Sequence, residues 1–219
     1  GLGDVYKRQA MDKRYTDLEL DGLKEIINIG GGNAATSISQ MVNSKIDMKV
    51  PSVEILSYEN LYKRVIADDV EVHAILSRFV GDFEGALLFV LSDAAADKLA
   101  GLMMGSDVEG VSREVKASAV SELTNIVANS FLRAIGTMLN IQLIASLPAT
   151  SYDYFGAVIS SAYMALDQYD EQVMVIRNEF LYMDDKLDAS LFLIPEVGML
   201  DRMFKSCLLY TSDAADEAR

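Results

Sequence analysis

The sequence is poor in the residues that most often act as nucleophiles and soft metal ligands. Its 219 residues include one cysteine, one histidine and no tryptophan. The single cysteine, Cys207, leaves neither a disulfide nor a cluster of thiolates to consider. A Ser-His-Asp or Cys-His nucleophile system would have to use His73, and no serine lies in a nucleophile-elbow context. We therefore expect His73 to be a solvated or hydrogen-bonded histidine of a strand.

A metal site would have to rely on carboxylates alone. Asp17, Asp21 and Glu25 are the nearest such set along the chain. Acidic residues at the start of a helix also stabilise the helix dipole, and this interpretation requires no ion. We predict no metal and no cofactor bound by the chain itself.

Positive charge is also scarce, with 19 Lys and Arg residues against 33 Asp and Glu residues and a net charge of −14. An acidic surface repels the phosphate backbone of nucleic acids and the head groups of anionic lipids. No apolar run approaches the roughly 18 residues of a membrane span, and no targeting segment is recognisable. The composition predicts a cytoplasmic protein that neither binds nucleic acid nor inserts into a membrane.

The two ends differ in character from the rest of the chain. Residues 1–10 and 207–219 resemble read-through sequence, and Met11 is a plausible start, so we expect both ends to be non-native. The remaining residues, 11–206, are enough for one domain made of two fused halves. The polar segment 107–110 is the expected seam between halves of about 11–106 and 107–206.

A pattern of polar residues occurs twice, 97 residues apart. The first copy is Asp21, Glu25, Asn28 and Pro51, and the second is Ser118, Glu122, Asn125 and Pro148. The first three positions of each copy have i, i+4, i+7 spacing, which places them on one face of a helix. One such face would be explained as ordinary solvated surface. The two copies are in register, while the residues between their motif positions differ. This combination indicates a repeated candidate site.

The hydrophobic periodicity predicts an α/β two-layer (α+β) fold with pseudo-twofold symmetry, in which long helices pack on a largely antiparallel sheet. Helices are expected from Thr16 or Asp17, from Ser92 to Met104, from Ser112 or Ser118, and from Glu196 to Ser206. Strands are expected over Lys45–Ser57, Asp69–Phe79, Glu84–Leu91, Gln142–Leu147, Ala157–Leu166, Gln172–Met183 and Leu187–Ile194. Pro51 suggests that its strand lies at an edge or contains a bend.

The run Gly30 to Gly32 formally fits a dinucleotide-binding glycine pattern. That pattern requires a preceding strand, whereas here a helical period precedes the glycines, and no Lys-Ser or Lys-Thr pair follows as in a P-loop. We expect these glycines to let the helix approach another backbone closely.

The eight motif residues and the segment 28–36 resemble the paired signature of the CheC family of chemotaxis phosphatases. The resemblance covers Met11 to about Ser206, and Ser118 is an accepted variant of the first motif position. It implies a CheC-like fold and a hydrolase that removes the phosphoryl group from the phosphorylated response regulator CheY. The Mg²⁺ for this reaction would be carried by CheY.

The resemblance also implies a role for each residue. Asn28 and Asn125 would position the attacking water, while Glu25 and Glu122 would dock the receiver domain. Asp21, Ser118, Pro51 and Pro148 would support the two sites. The alternative is a non-catalytic chemotaxis or flagellar-switch interaction protein, and binding of the deamidase CheD is expected as a second role. A non-catalytic switch protein would be expected to lack the Glu and Asn pairs.

Overall fold

A computed structural model describes residues 15–164, 170–182 and 185–206, so the predictions about both ends of the chain lie outside the described residues. The elements in chain order are α1 Asp17–Val42, β1 Ile46–Ser57, α2 Tyr58–Arg64, β2 Glu71–Gly81, β3 Gly85–Leu91, α3 Asp93–Met104, α4 Arg113–Leu139, β4 Leu143–Ala145, β5 Ala149–Tyr154, α5 Phe155–Met164, β6 Gln172–Tyr182 and β7 Asp185–Pro195. Residues 199–206 are again helical.

The two long helices begin and end with similar local chemistry. Thr16 caps α1 in a capping box, since its hydroxyl accepts from the Glu19 backbone N–H and the Glu19 carboxylate accepts from Thr16 N at 2.7 Å. The Ser112 side chain caps α4. Both helices end at a left-handed asparagine, Asn43 (φ 50°) and Asn140 (φ 53°). These two asparagines are 97 residues apart, so the helix ends repeat at the same offset as the polar motif.

The seven strands form one sheet in the order β1-β6-β7-β3-β2-β4, with β5 also paired to β2. Every strand pair in this sheet is antiparallel. The hairpins β2-β3 and β6-β7 meet at the centre through β3 and β7, while β1 pairs with β6 and β5 pairs with β2. Each half of the chain therefore completes its part of the sheet with the first strand of the other half.

Both faces of the sheet are covered. The larger core lies between one face and the helices α1, α3, α4 and 199–206, with Ile27, Phe131 and Phe180 fully buried in it. A smaller core lies on the opposite face, under α2 and α5. The predicted mixed α/β class, with long helices on an antiparallel sheet, is confirmed, and the two short helices add cover that the sequence did not predict.

Most predicted elements are present, and the prediction of a strand over Ala157–Leu166 is wrong. Its described residues lie in the helix α5, which buries Phe155, Val158, Ile159 and Ala162. These positions follow i, i+3, i+4, i+7 spacing, and a short apolar run does not distinguish a buried strand from a buried helix. The predicted strand Gln142–Leu147 is shorter, and the prediction lacked β5 and α2.

The internal repeat extends to these unpredicted elements. At an offset of 97 residues, β1 corresponds to 143–154, which contains both β4 and β5, and α2 corresponds to the start of α5. Pro148 lies where the second copy of the strand is interrupted. The boundaries of the two halves at residues 106 and 107 stay a prediction.

Gly30 allows α1 and α4 to pack closely. A Cβ atom on Gly30 would lie 2.9 Å from Phe131 Cδ1 and 3.2 Å from Phe131 Cα, closer than ordinary van der Waals contact. The expected close approach of the helix to another backbone is confirmed at this glycine. Gly32, two residues later, faces open space.

Within the described residues, no helix is both long enough and apolar enough to span a bilayer.

Candidate functional site

The acidic and hydroxyl residues of both motifs lie on exposed helix surface. Asp21 and Glu25 on α1 are exposed, as are Ser118 and Glu122 on α4, whereas both motif asparagines are partly buried. Each copy of the motif therefore places a solvated carboxylate one turn before an asparagine that lies closer to the protein body.

The first copy is completed by β1. This strand is an edge strand of the sheet, and its pairing with β6 shifts register between Lys49 and Ser52, around Pro51. The predicted edge or bend at Pro51 is thus confirmed on both counts. Proline has no N–H to donate to a ladder, and a bulge leaves backbone groups of the strand unpaired.

Asn28 forms a hydrogen bond with one of these backbone groups. Its side-chain oxygen Oδ1 accepts a hydrogen bond from the backbone N–H of Val50, with 3.1 Å between the two heavy atoms. This contact gives a structural reason for the spacing between Asn28 and Pro51, because the bulge at Pro51 presents the N–H that fixes the asparagine amide. The amide oxygen keeps a second lone pair, and the NH₂ group has no hydrogen-bond partner among the described residues.

The second copy does not reproduce this contact. The residue equivalent to Val50 is Leu147, which lies in the break between β4 and β5. Leu147 is 90% exposed, whereas Val50 is 2% exposed and packs in the larger core. Pro148 and Asn125 are therefore not joined through the strand as Pro51 and Asn28 are.

Asn125 instead bonds to its own helix. Asn129 Nδ2 lies 2.9 Å from Asn125 Oδ1 and 2.8 Å from the Asn125 backbone oxygen, and it donates to both. In the part of the chain that the structure describes, this is the donor to Asn125 Oδ1. The i, i+4 spacing of two asparagines was the sequence signal for this contact. The contributions of Asn129 and of the Val50 N–H were missed by sequence reasoning.

A cleft of about 740 Å³ adjoins the second motif. It lies between α3, the start of α4 and β5, and Ser118 and Pro148 are part of its wall. Two pairs of its lining side chains are in contact: Lys116 bonds to Asp97 at 2.9 Å, and His73 lies 2.5 Å from Asp93. The hydrogen-bonded strand histidine expected from the sequence is confirmed.

Arg113 lies over the ring of Tyr152 in the same cleft, 4.7 Å from its centroid. Desolvation and the nearby carboxylates of Asp93 and Glu71 raise the pKa of the Tyr152 hydroxyl. The pKa of Glu114, in the first turn of α4, is lowered by hydrogen bonds from its own backbone N–H and from Ser112.

An aromatic contact stands just before the first motif helix. Tyr15 stacks on Phe204 with 3.7 Å between ring centroids, and its hydroxyl donates to Asp201 at 2.9 Å. The residue equivalent to Tyr15 is Ser112, which has no aromatic ring and caps α4. The surroundings of the two motifs therefore differ although the motifs themselves repeat.

Two family models match the chain, one over each motif. The model described as the CheC-like family matches residues 18–55, and the model described as the chemotaxis phosphatase CheX matches residues 74–153. The first range contains Glu25, Asn28 and Pro51, and the second contains Glu122, Asn125 and Pro148.

Three related proteins resemble the chain over most of its length. The CheY-P phosphatase CheC of Bacillus subtilis is 33% identical over 192 residues, which is 85% of this chain and 92% of that protein. The flagellar motor switch phosphatase FliY of the same organism is 25% identical over 92% of this chain but 52% of its own length. The crystal structure of Thermotoga maritima FliY has the same fold, with a TM-score of 0.71, 23% identity, and coverage of 89% of this chain and 98% of that one.

Proposed function

The chain belongs to the CheC family of CheY-P phosphatases, and from this membership we propose that it hydrolyses the aspartyl phosphate of a chemotaxis receiver at two sites, Asn28 and Asn125. The observation that carries the proposal is the fixed amide of Asn28. Its Oδ1 accepts from Val50 N, while a lone pair and the NH₂ group remain for a reactant.

Asparagine suits this reaction because the receiver supplies most of the chemistry. The phosphorylated receiver already carries its Mg²⁺ and a lysine, so the phosphatase needs only to place water in line with the phosphorus. The remaining lone pair of the amide oxygen accepts from the water, and the NH₂ group donates toward a phosphoryl oxygen. An amide does not titrate near neutral pH, so the asparagine itself introduces no sharp pH optimum.

The glutamates serve a different step. Glu25 and Glu122 lie one helical turn before their asparagines, and both are exposed. An exposed carboxylate can form a charge-assisted hydrogen bond with the receiver's lysine. This contact would dock the helix over the phosphoryl group and bring the asparagine amide to the water.

The test is phosphate release from phosphorylated CheY with Asn28→Ala, Asn125→Ala and the double variant. Each single variant should retain the rate of the other site, and the double variant should lose about a hundredfold, which corresponds to about 2.7 kcal/mol of barrier. Gln40→Ala removes an exposed amide from α1 outside the segment 28–36, and as the matched control it should leave the rate unchanged. A double variant with wild-type rate would exclude both asparagines as site residues.

Binding of the deamidase CheD is a further part of this proposal and rests on the family resemblance, as does the cytoplasmic location. Co-purification with the CheD of the same organism tests it in the wild-type protein and in the double asparagine variant. Retention by both proteins would show that CheD binds independently of the phosphatase sites. Failure to co-purify with the wild-type protein would leave the phosphatase role standing and remove CheD as a partner.

A further inference from the structure

We propose that Asn129 is a positioning residue of the second site, where its side chain takes over the task that the Val50 N–H performs in the first. The inference rests on the proposed function of Asn125. Asn129 would not touch the phosphoryl group or the water. It would act by holding the Asn125 amide in one orientation.

The geometry supports a fixed orientation. Asn129 Nδ2 donates to Asn125 Oδ1 at 2.9 Å and to the Asn125 backbone oxygen at 2.8 Å. The second bond anchors the Asn129 side chain against the helix, so that the first bond comes from a donor of defined position. The donor approaches the oxygen of the Asn125 amide, which leaves the Asn125 NH₂ group without a hydrogen-bond partner among the described residues, as in Asn28.

In the described part of the chain, the second site lacks the strand N–H that holds the asparagine of the first site, so another donor is needed there. Val50 belongs to a continuous strand and is buried, whereas its counterpart Leu147 lies between two short strands and is 90% exposed. Among the described residues, no strand N–H bonds to Asn125 Oδ1, although Asn125 occupies the same helical position as Asn28. Without Asn129, the Asn125 amide would be free to rotate about its last side-chain torsion.

The first site carries no such residue. The position equivalent to Asn129 is Gly32, and a Cβ atom there would meet nothing within 4 Å. The space for a side chain is present, yet the Asn28 oxygen already accepts from the strand. The two halves thus fix the same amide with two different donors, one from the backbone of a neighbouring strand and one from the next helical turn.

The experiment isolates each site. In an Asn28→Ala background, only the second site can work, and we expect Asn129→Ala to lower its kcat about fivefold while KM is unchanged, because Glu122 still docks the receiver. Asn129→Gln keeps an amide donor at i+4 and should restore most of the rate. Asn129→Asp replaces the donor with an acceptor, which would turn the Asn125 amide over, and should lower kcat further than alanine does.

Thermal stability distinguishes a positioning role of Asn129 from an effect of the substitution on folding. Position 129 is exposed and lies inside a helix, where alanine has the higher helix propensity, so Asn129→Ala should not lower the melting temperature. In an Asn125→Ala background, Gly32→Asn places the same amide beside the first site and should leave its kcat unchanged, since Val50 already fixes Asn28. A higher kcat in Gly32→Asn would show that the Val50 N–H does not fix the Asn28 amide. It would overturn the inference that Val50 and Asn129 perform the same task in the two sites.

The outcomes also distinguish this inference from the function on which it rests. If the Asn28→Ala, Asn125→Ala double variant is inactive and Asn129→Ala has the full second-site rate, Asn129 is not a positioning residue and the asparagine sites stand. A higher rate in Asn129→Ala would make Asn129 an obstruction and would overturn the inference equally. If the double variant is active, the asparagine sites themselves are wrong.

Discussion

At the scale of single residues, the two motif asparagines share a helix position and differ in what holds them. Asn28 Oδ1 accepts from the backbone of β1, and Asn125 Oδ1 accepts from Asn129 on α4. In each case the oxygen is oriented by a donor from the protein, and the NH₂ group points away from that donor. In the two proposed sites, the amide hydrogens and one lone pair of the oxygen are therefore left for a substrate.

Asn28→Asp tests the role of the NH₂ group separately from the bond to Val50. A carboxylate oxygen can still accept from the Val50 N–H, but it offers no hydrogen to the phosphoryl group and adds a negative charge there. In the Asn125→Ala background, we expect at least a hundredfold loss of kcat with a melting temperature close to that of the parent. Phosphate release and thermal unfolding, measured on one preparation, check the loss of kcat and the unchanged melting temperature. An active aspartate variant would contradict the role of the NH₂ group.

Glu25→Lys should separate docking from chemistry. The substitution puts a cation where the receiver's lysine is expected, so in the Asn125→Ala background KM for phosphorylated CheY should rise at least tenfold and kcat should change much less. Glu109→Lys makes the same change of charge at an exposed position between α3 and α4 and serves as the control. An equal rise of KM in both variants would point to long-range repulsion instead of a docking contact.

At the scale of elements, the sites depend on how closely α1 and α4 pack. Gly30 faces Phe131 of α4, while Gly31 faces Val50, since a Cβ atom added to Gly31 would lie 3.6 Å from the valine side chain. The first glycine sets the spacing between the two long helices, and the second lets α1 lie on β1 at the level of the Asn28 contact. Gly30 and Gly31 therefore serve packing beside Asn28.

Gly30→Ala and Gly32→Ala form a matched pair within one helix. The added methyl group at position 30 would lie 2.9 Å from Phe131 Cδ1, so we expect a destabilisation of about 1–3 kcal/mol. At position 32 it meets open space, and alanine should stabilise the helix by about 0.5–1 kcal/mol. Denaturant unfolding measures both free energies, and the same stabilisation in both variants would show that the helix spacing is not set at Gly30.

The sequence predicted the long helices and the strands of the central hairpins because each carries a long periodic signal. It failed at Phe155–Met164, where ten residues of mostly apolar sequence suit a strand as well as a helix. The repeat itself could have corrected this, since these residues follow the second copy of β1 as α2 follows the first. The contact of Asn28 with Val50 could not be predicted, because it depends on a strand bulge, whereas the i, i+4 spacing of Asn125 and Asn129 was a signal that sequence reasoning missed.

At the scale of the whole molecule, the two halves are joined by the exchange of their first strands. The strand β1 pairs with β6 and β5 pairs with β2, so neither half can complete its sheet alone. Phe89 and Phe180, one from each half, meet edge to face in the larger core with 6.3 Å between centroids. We therefore expect the halves to unfold together.

Phe180→Ala tests this cooperation. Phe180 is fully buried, and its truncation should cost about 3–5 kcal/mol. Circular dichroism should show one thermal transition in both the wild type and the variant, shifted to lower temperature in the latter. A second transition, with one half still folded, would contradict the cooperative unfolding of the two halves. Arg133→Ala, at an exposed position of α4, is the control and should not shift the melting temperature.

The exchanged strands also set an order of events during synthesis. The strand β1 ends at residue 57, but its partner β6 begins at residue 172. At about 5–20 residues per second, the ribosome takes on the order of ten seconds to make the intervening chain. Throughout that time β1 lacks its partner strand, and Pro51, where the pairing with β6 shifts register in the finished protein, is placed where it would discourage pairing with another nascent chain.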